Sequence, residues 1–107
     1  MLSGKYLNNA RPEGSRWTFS QRNKLYRNTE DAHLATTEYV DIAHQHGITP
    51  AQLALAWCDQ VDGVTSTIIG ATTLPQLKEN IRAFSTQLTP QALTDIESVL
   101  KRYPAPF

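Results

Sequence analysis

One cysteine, one methionine and five glycines among 107 residues exclude several chemistries at the outset. With Cys58 alone no internal disulfide can form, and a reducing, cytoplasmic setting is expected. No apolar run approaches the roughly 18 residues of a membrane span. The opening MLSGKYLNNARPEG lacks the apolar stretch of a secretory leader. Neither G-x-G-x-x-G nor G-x-x-x-x-G-K-[ST] occurs, so both standard phosphate-loop patterns are missing. His44 and His46 form the only H-x-H pair, but alternate helical positions point apart and no cysteine or carboxylate completes a zinc set nearby, so no metal is expected.

The formal net charge is zero, yet it is unevenly spread. Residues 1–29 carry Lys5, Arg11, Arg16, Arg22, Lys24 and Arg27 against Glu13 alone, which leaves the remainder acidic by the same amount. This basic segment is rich in Asn, Ser, Gly and Pro and reads as a long loop suited to an anion or to an acidic partner. A nucleic-acid-binding domain is a rival reading. It is disfavoured because the basic residues lie in the irregular segment and the stretch 50–60 has no Arg or Lys.

Periodicity begins at Thr29. Ala32, Ala35, Tyr39, Val40, Ile42 and Ala43 predict a helix that Gly47 closes. In ITPAQL, Thr49 is the expected cap, Pro50 leads, Gln52 completes a capping box and Ile48 staples to Leu53. The sequence predicts a well-buried helix there. GVTSTIIG, rich in β-branched residues, predicts a strand over 64–70. Two further helices follow within 72–103. Leu74, Leu77, Ile81 and Phe84 share one face of the first, while LTPQAL opens the second with Thr89 as cap and Leu88 stapling to Leu93. The expectation is a mostly α-helical chain with one orphan strand, which lacks backbone partners by itself.

The junction STIIGATTLPQLKEN delivers Gly70 to a helix N-terminus, where free N–H groups and the helix dipole favour an anion. Thr72, Gln76 and Asn80 follow at intervals of four with Glu79 beside them, so a hydroxyl, two amides and a carboxylate share one face. The same pattern fits a bland alternative, in which Thr72 or Thr73 caps the helix and the others form a solvated surface. Trp17 and Phe19 in the basic loop are available to stack on a base or to pack the loop onto its own domain.

LSGKY, HGITPAQLALAW and IIGATTLPQLKENI, in this order, resemble the C-terminal part of an aldo-keto reductase, near the branch of potassium-channel β subunits. The resemblance spans nearly all of residues 1–100. It implies an α/β fold, the C-terminal portion of a TIM (β/α)8 barrel, with residues 1–29 as cofactor loop, two helices in 30–60, the last barrel strand at 64–70 and two C-terminal helices in 72–103. It also implies NADP(H) as cofactor, held at the C-terminal ends of the strands. By the same resemblance Lys5 and Arg16 approach the cofactor phosphates and Gly70 and Thr72 receive the 2′-phosphate. Gln76, Glu79 and Asn80 hold that phosphate and the adenine.

Three departures qualify the match. The spacing from Lys5 to Arg16 is shifted by one residue. Many family members carry arginine where this chain has Gln76, which offers only neutral hydrogen bonds to a phosphate. The Asp, Tyr, Lys and His tetrad of the family lies in the N-terminal half of the barrel and nothing here matches it. The expectation is therefore a C-terminal segment that holds cofactor without catalytic residues, and MLSGKY fits as interior sequence. The alternative is a non-catalytic helical module that self-associates or docks on the missing N-terminal part of the barrel.

Overall fold

The computed structural model describes residues 1–19 and 28–106. Among these residues a short 3₁₀ turn at Leu7–Asn9 precedes five α-helices: α1 (Arg16–Phe19), α2 (Glu30–Gln45), α3 (Pro50–Gln60), α4 (Leu74–Ala83) and α5 (Pro90–Arg102). Residues 20–27 of the expected cofactor loop, with Arg22, Lys24, Tyr26 and Arg27, lie outside the described residues.

Each long helix begins with threonine because its hydroxyl satisfies an amide that the first turn leaves unpaired. Thr29 accepts from Ala32 N at 3.0 Å, and its hydroxyl donates to the Pro106 carbonyl, which fixes the C-terminal tail over the start of α2. Thr49 forms the expected capping box, its hydroxyl accepting from Gln52 N while its own N–H donates to Gln52 Oε1 at 2.9 Å. Thr73 and Thr89 cap α4 and α5. At the end of α2, Gly47 adopts φ +69°, and Ile48 N donates to Ala43 O at 3.0 Å while Gly47 N donates to His44 O at 3.1 Å. This pairing closes the last carbonyls with a residue that has no Cβ to strain.

The core lies among α2, α3 and α5. Ala35, Ile42, Ala43, Leu53, Ala56, Leu88, Ala92, Ile96 and Val99 form one buried cluster. Small residues on α2 and α3 let the helices approach closely, while Leu53 and Ile96, 3% and 4% exposed, fill the space between them. Each buried aliphatic side chain of this size contributes about 1.5–3 kcal/mol. Helix α3 is less buried than its composition predicts, since Leu55 and Trp57 are only half-covered. Leu88 enters the core but its expected staple partner Leu93 remains at the surface, 39% exposed. Arg102 Nη1 joins both Glu38 oxygens at 2.5 and 2.6 Å, tying the end of α5 to α2.

Helix α4 packs on α3 and contributes a single buried residue, Ala83. Its amphipathic pattern therefore faces the other way. Leu74, Leu77 and Ile81 are 71, 38 and 58% exposed. The strand expected at 64–70 does not form a ladder: among the described residues none of 65–70 makes a backbone–backbone hydrogen bond. β-branched composition favours a strand, but a strand needs a partner edge, and every element among the described residues is helical.

Candidate functional site

The turn at Gly70–Thr73 and the first two turns of α4 form the site. Thr73, extended at φ −135° and ψ 154°, accepts from Gln76 N at 3.3 Å and so is the cap. That role frees the side chain of Thr72 to act elsewhere. Gln76 reaches back from the first turn, and its Oε1 accepts both the Thr72 amide and the Thr72 hydroxyl at 3.0 Å. One turn later, Asn80 Nδ2 donates to the Gly70 carbonyl at 3.4 Å. Four expected site residues, Gly70, Thr72, Gln76 and Asn80, are thus joined into one hydrogen-bonded turn.

Glu79 is held from a different direction. Its Oε1 accepts from the Thr49 hydroxyl at 2.6 Å, across the contact of α4 with α3. Glu79 also lines a cleft of about 380 Å³ with Gln52, Leu74, Pro75, Lys78 and Arg82. Thr49 is the site residue that the sequence did not point to. Its capping box was legible, but the 30-residue separation from Glu79 hides the second bond.

The space around the turn suits an anion. A Cβ at Gly70 would meet no atom within 4 Å, and the backbone there has no positive φ, so neither packing nor strain within the chain requires glycine. Among the described residues, the amides of Ala71, Thr73 and Leu74 donate to nothing. Three free donors at the positive end of a ten-residue helix and a glycine without bulk form a donor set that fits a phosphate, while the Thr72 hydroxyl proton is engaged by Gln76 Oε1.

Lys5 and Arg16 are not brought to this turn by any hydrogen bond or ion pair among the described residues. Both are exposed on the N-terminal segment, which packs against α2. Gly4, at φ +74°, sits where an added Cβ would come within 2.9 Å of Val40 Cγ2, so glycine is required there. Trp17 stacks on Tyr6 with ring centroids 4.1 Å apart and planes 8° off parallel, and the Arg11 guanidinium lies 5.0 Å from the Trp17 centroid. Trp17 is thus consumed in packing its own segment, while nothing is described of the Phe19 side chain. Burial raises the pKa of the Tyr6 phenol, but the Ser15 hydroxyl and the Lys5 ammonium, with the Trp17 backbone, bring it below its ordinary value. The Tyr6 and Ser15 hydroxyls are buried without a hydrogen bond of full geometry.

The histidine pair resolves into separate roles. His44 is exposed, whereas the His46 ring lies 3.6 Å from the Asp95 carboxylate and 3.4 Å from the Thr89 hydroxyl, joining the end of α2 to the start of α5. Among the described residues no group of three metal-ligating side chains gathers, and no helix is long and apolar enough to cross a membrane.

Residues 1–101 match the family described as "Aldo/keto reductase family". The chain is 46% identical over 107 residues to "Protein tas" of Escherichia coli (strain K12), covering 98% of this chain and 31% of that protein. It is 40% identical over 110 residues to a "Putative voltage-gated potassium channel subunit beta" of Schizosaccharomyces pombe, covering 97% and 32%. A "Probable voltage-gated potassium channel subunit beta" of Arabidopsis thaliana is 36% identical over 108 residues, covering 97% and 33%. The chain spans about a third of the length of the curated relatives it matches.

Proposed function

Because the chain belongs to the aldo/keto reductase family, whose members are oxidoreductases built on a TIM barrel, we propose that it forms the adenine and 2′-phosphate part of an NADP(H) site. The observation that carries this reading is the turn in which Gly70, Thr72, Gln76 and Asn80 are already joined beside three free amides. In this reading the free amides bind the 2′-phosphate, the Thr72 hydroxyl exchanges its bond to Gln76 Oε1 for one to that phosphate, and Glu79 and Asn80 read the adenine. Lys5 and Arg16 belong to the segment that closes over the pyrophosphate, and among the described residues no hydrogen bond or ion pair joins either of them to the turn. The bound dinucleotide supplies the hydride for carbonyl reduction. This chain provides no residue for the accompanying proton, because nothing in it matches the tetrad, and it is inactive alone in a cytoplasmic setting.

Fluorescence titration of NADPH against the chain tests this reading. Saturable binding that Thr72→Val and Gly70→Val both weaken supports it. Binding that is absent, or indifferent to both changes, contradicts it.

A second reading has its own observation. Ile68, 97% exposed, and the row of Leu74, Leu77 and Ile81 leave apolar surface open beside an unpaired backbone segment in which the Thr67 hydroxyl is buried without a partner. Such surface favours association with a second copy or with the N-terminal part of a barrel. Light scattering across a dilution series distinguishes self-association from a monomer, and Ile81→Lys is expected to shift the series towards monomer.

A further inference from the structure

The Thr49 hydroxyl performs two tasks at once. As acceptor it takes the Gln52 amide at 3.2 Å and begins α3, and as donor it holds Glu79 Oε1 at 2.6 Å. A hydroxyl has one proton to give and two lone pairs to receive, so the two bonds are compatible, whereas a carboxylate in its place could only accept. Among the described residues no cation pairs with Glu79, although Lys78 and Arg82 line the same cleft, and Thr49 is the one side chain bonded to its carboxylate. A glutamate on a helix surface otherwise samples several rotamers.

We infer that Thr49 is a positioning residue, fixing the Glu79 carboxylate so that its second oxygen is presented to the amino group of a purine. This rests on the reading of the α4 turn as the adenine end of the cofactor site. Its consequence is base selectivity. A fixed carboxylate accepts from an exocyclic amine and repels an exocyclic carbonyl, so the chain prefers adenine to hypoxanthine, and the preference depends on a residue on the neighbouring helix. The bond also makes the start of α3 sensitive to what Glu79 touches.

Two variants separate positioning from folding. Thr49→Asp keeps the cap, because aspartate is at least as good an acceptor there as threonine, but replaces the donor to Glu79 with a like charge. Thr49→Ser keeps both bonds. The experiment measures the affinities of the full chain and both variants for NADPH and for its hypoxanthine counterpart, with the thermal midpoint recorded for each. The expected result is that Thr49→Asp weakens NADPH binding about tenfold and erases the adenine preference in a chain that still unfolds cooperatively at a slightly lower midpoint, while Thr49→Ser behaves as the parent. Parent-like affinity and selectivity in Thr49→Asp would overturn the positioning role and leave the cofactor site standing. Failure of the unmutated chain to bind NADPH would overturn the cofactor site and this role with it.

Discussion

Helices α3 and α4 lie side by side, yet they use their surfaces in opposite ways. The first buries Leu53 and Ala56 in the common core, whereas the second buries only Ala83 and leaves Leu74, Leu77 and Ile81 open. Stability thus resides in α2, α3 and α5. The candidate cofactor turn sits on α4, whose apolar face is uncovered among the described residues, and α4 is held to the body by Ala83 and by the bond from Thr49 to Glu79. The hydrogen bonds of that turn are local, from Gln76 and Asn80 back to Thr72 and Gly70, so it can keep its shape while contributing little to the core.

The sharpest way to break this contrast is to truncate one isoleucine from each side. Ile96→Ala is expected to destabilise the chain by about 2–5 kcal/mol in urea unfolding, because it opens a cavity in the core. Ile81→Ala at the 58% exposed position is expected to cost less than about 0.5 kcal/mol. Equal losses would show that the two faces are equally covered in solution.

Gln76→Arg tests the turn instead of the core. A charge-assisted bond to a 2′-phosphate is expected to tighten NADPH binding about tenfold and leave NADH nearly unchanged. Similar gains for both nucleotides would place the phosphate elsewhere.

Removing the cap of α5 by Thr89→Ala should cost about 1 kcal/mol, seen as a lower urea midpoint. The smallest effect is expected from pH. Burial, with Glu38 nearby, raises the Tyr39 phenol above its ordinary value of 10.0. The folded state therefore favours the neutral ring, and the stability this provides is full below pH 10.0 and lost as pH rises through the folded value. Tyr39→Phe should flatten that alkaline decline.

What could be read from the sequence was mostly local. Thr49 with Gln52 and Thr89 with Pro90 announced two helix starts, because a cap and its amide lie three residues apart, whereas the Thr29 cap emerged only in the structure. The face shared by Thr72, Gln76 and Asn80 was legible for the same reason, since helical spacing fixes it. The segment 64–70, read as an orphan strand, forms no ladder: side-chain shape favours extended backbone, but pairing depends on an edge that no described element supplies. Thr49 with Glu79, Tyr6 with Trp17 and Arg102 with Glu38 were hidden because each joins residues brought together only by packing. The exposed row on α4 was visible as an amphipathic pattern, yet its spacing alone did not say which side would be covered.

The most direct test of the central claim is an amide NMR titration of the chain with NADPH and then with NADH. The account predicts NADPH-dependent shifts concentrated at Gly70, Ala71, Thr72, Thr73 and Leu74, with smaller ones at Gln76, Glu79 and Asn80, and a weaker response to NADH. A dispersed spectrum that ignores both nucleotides, or shifts gathered on the core helices instead of the α4 turn, would contradict it.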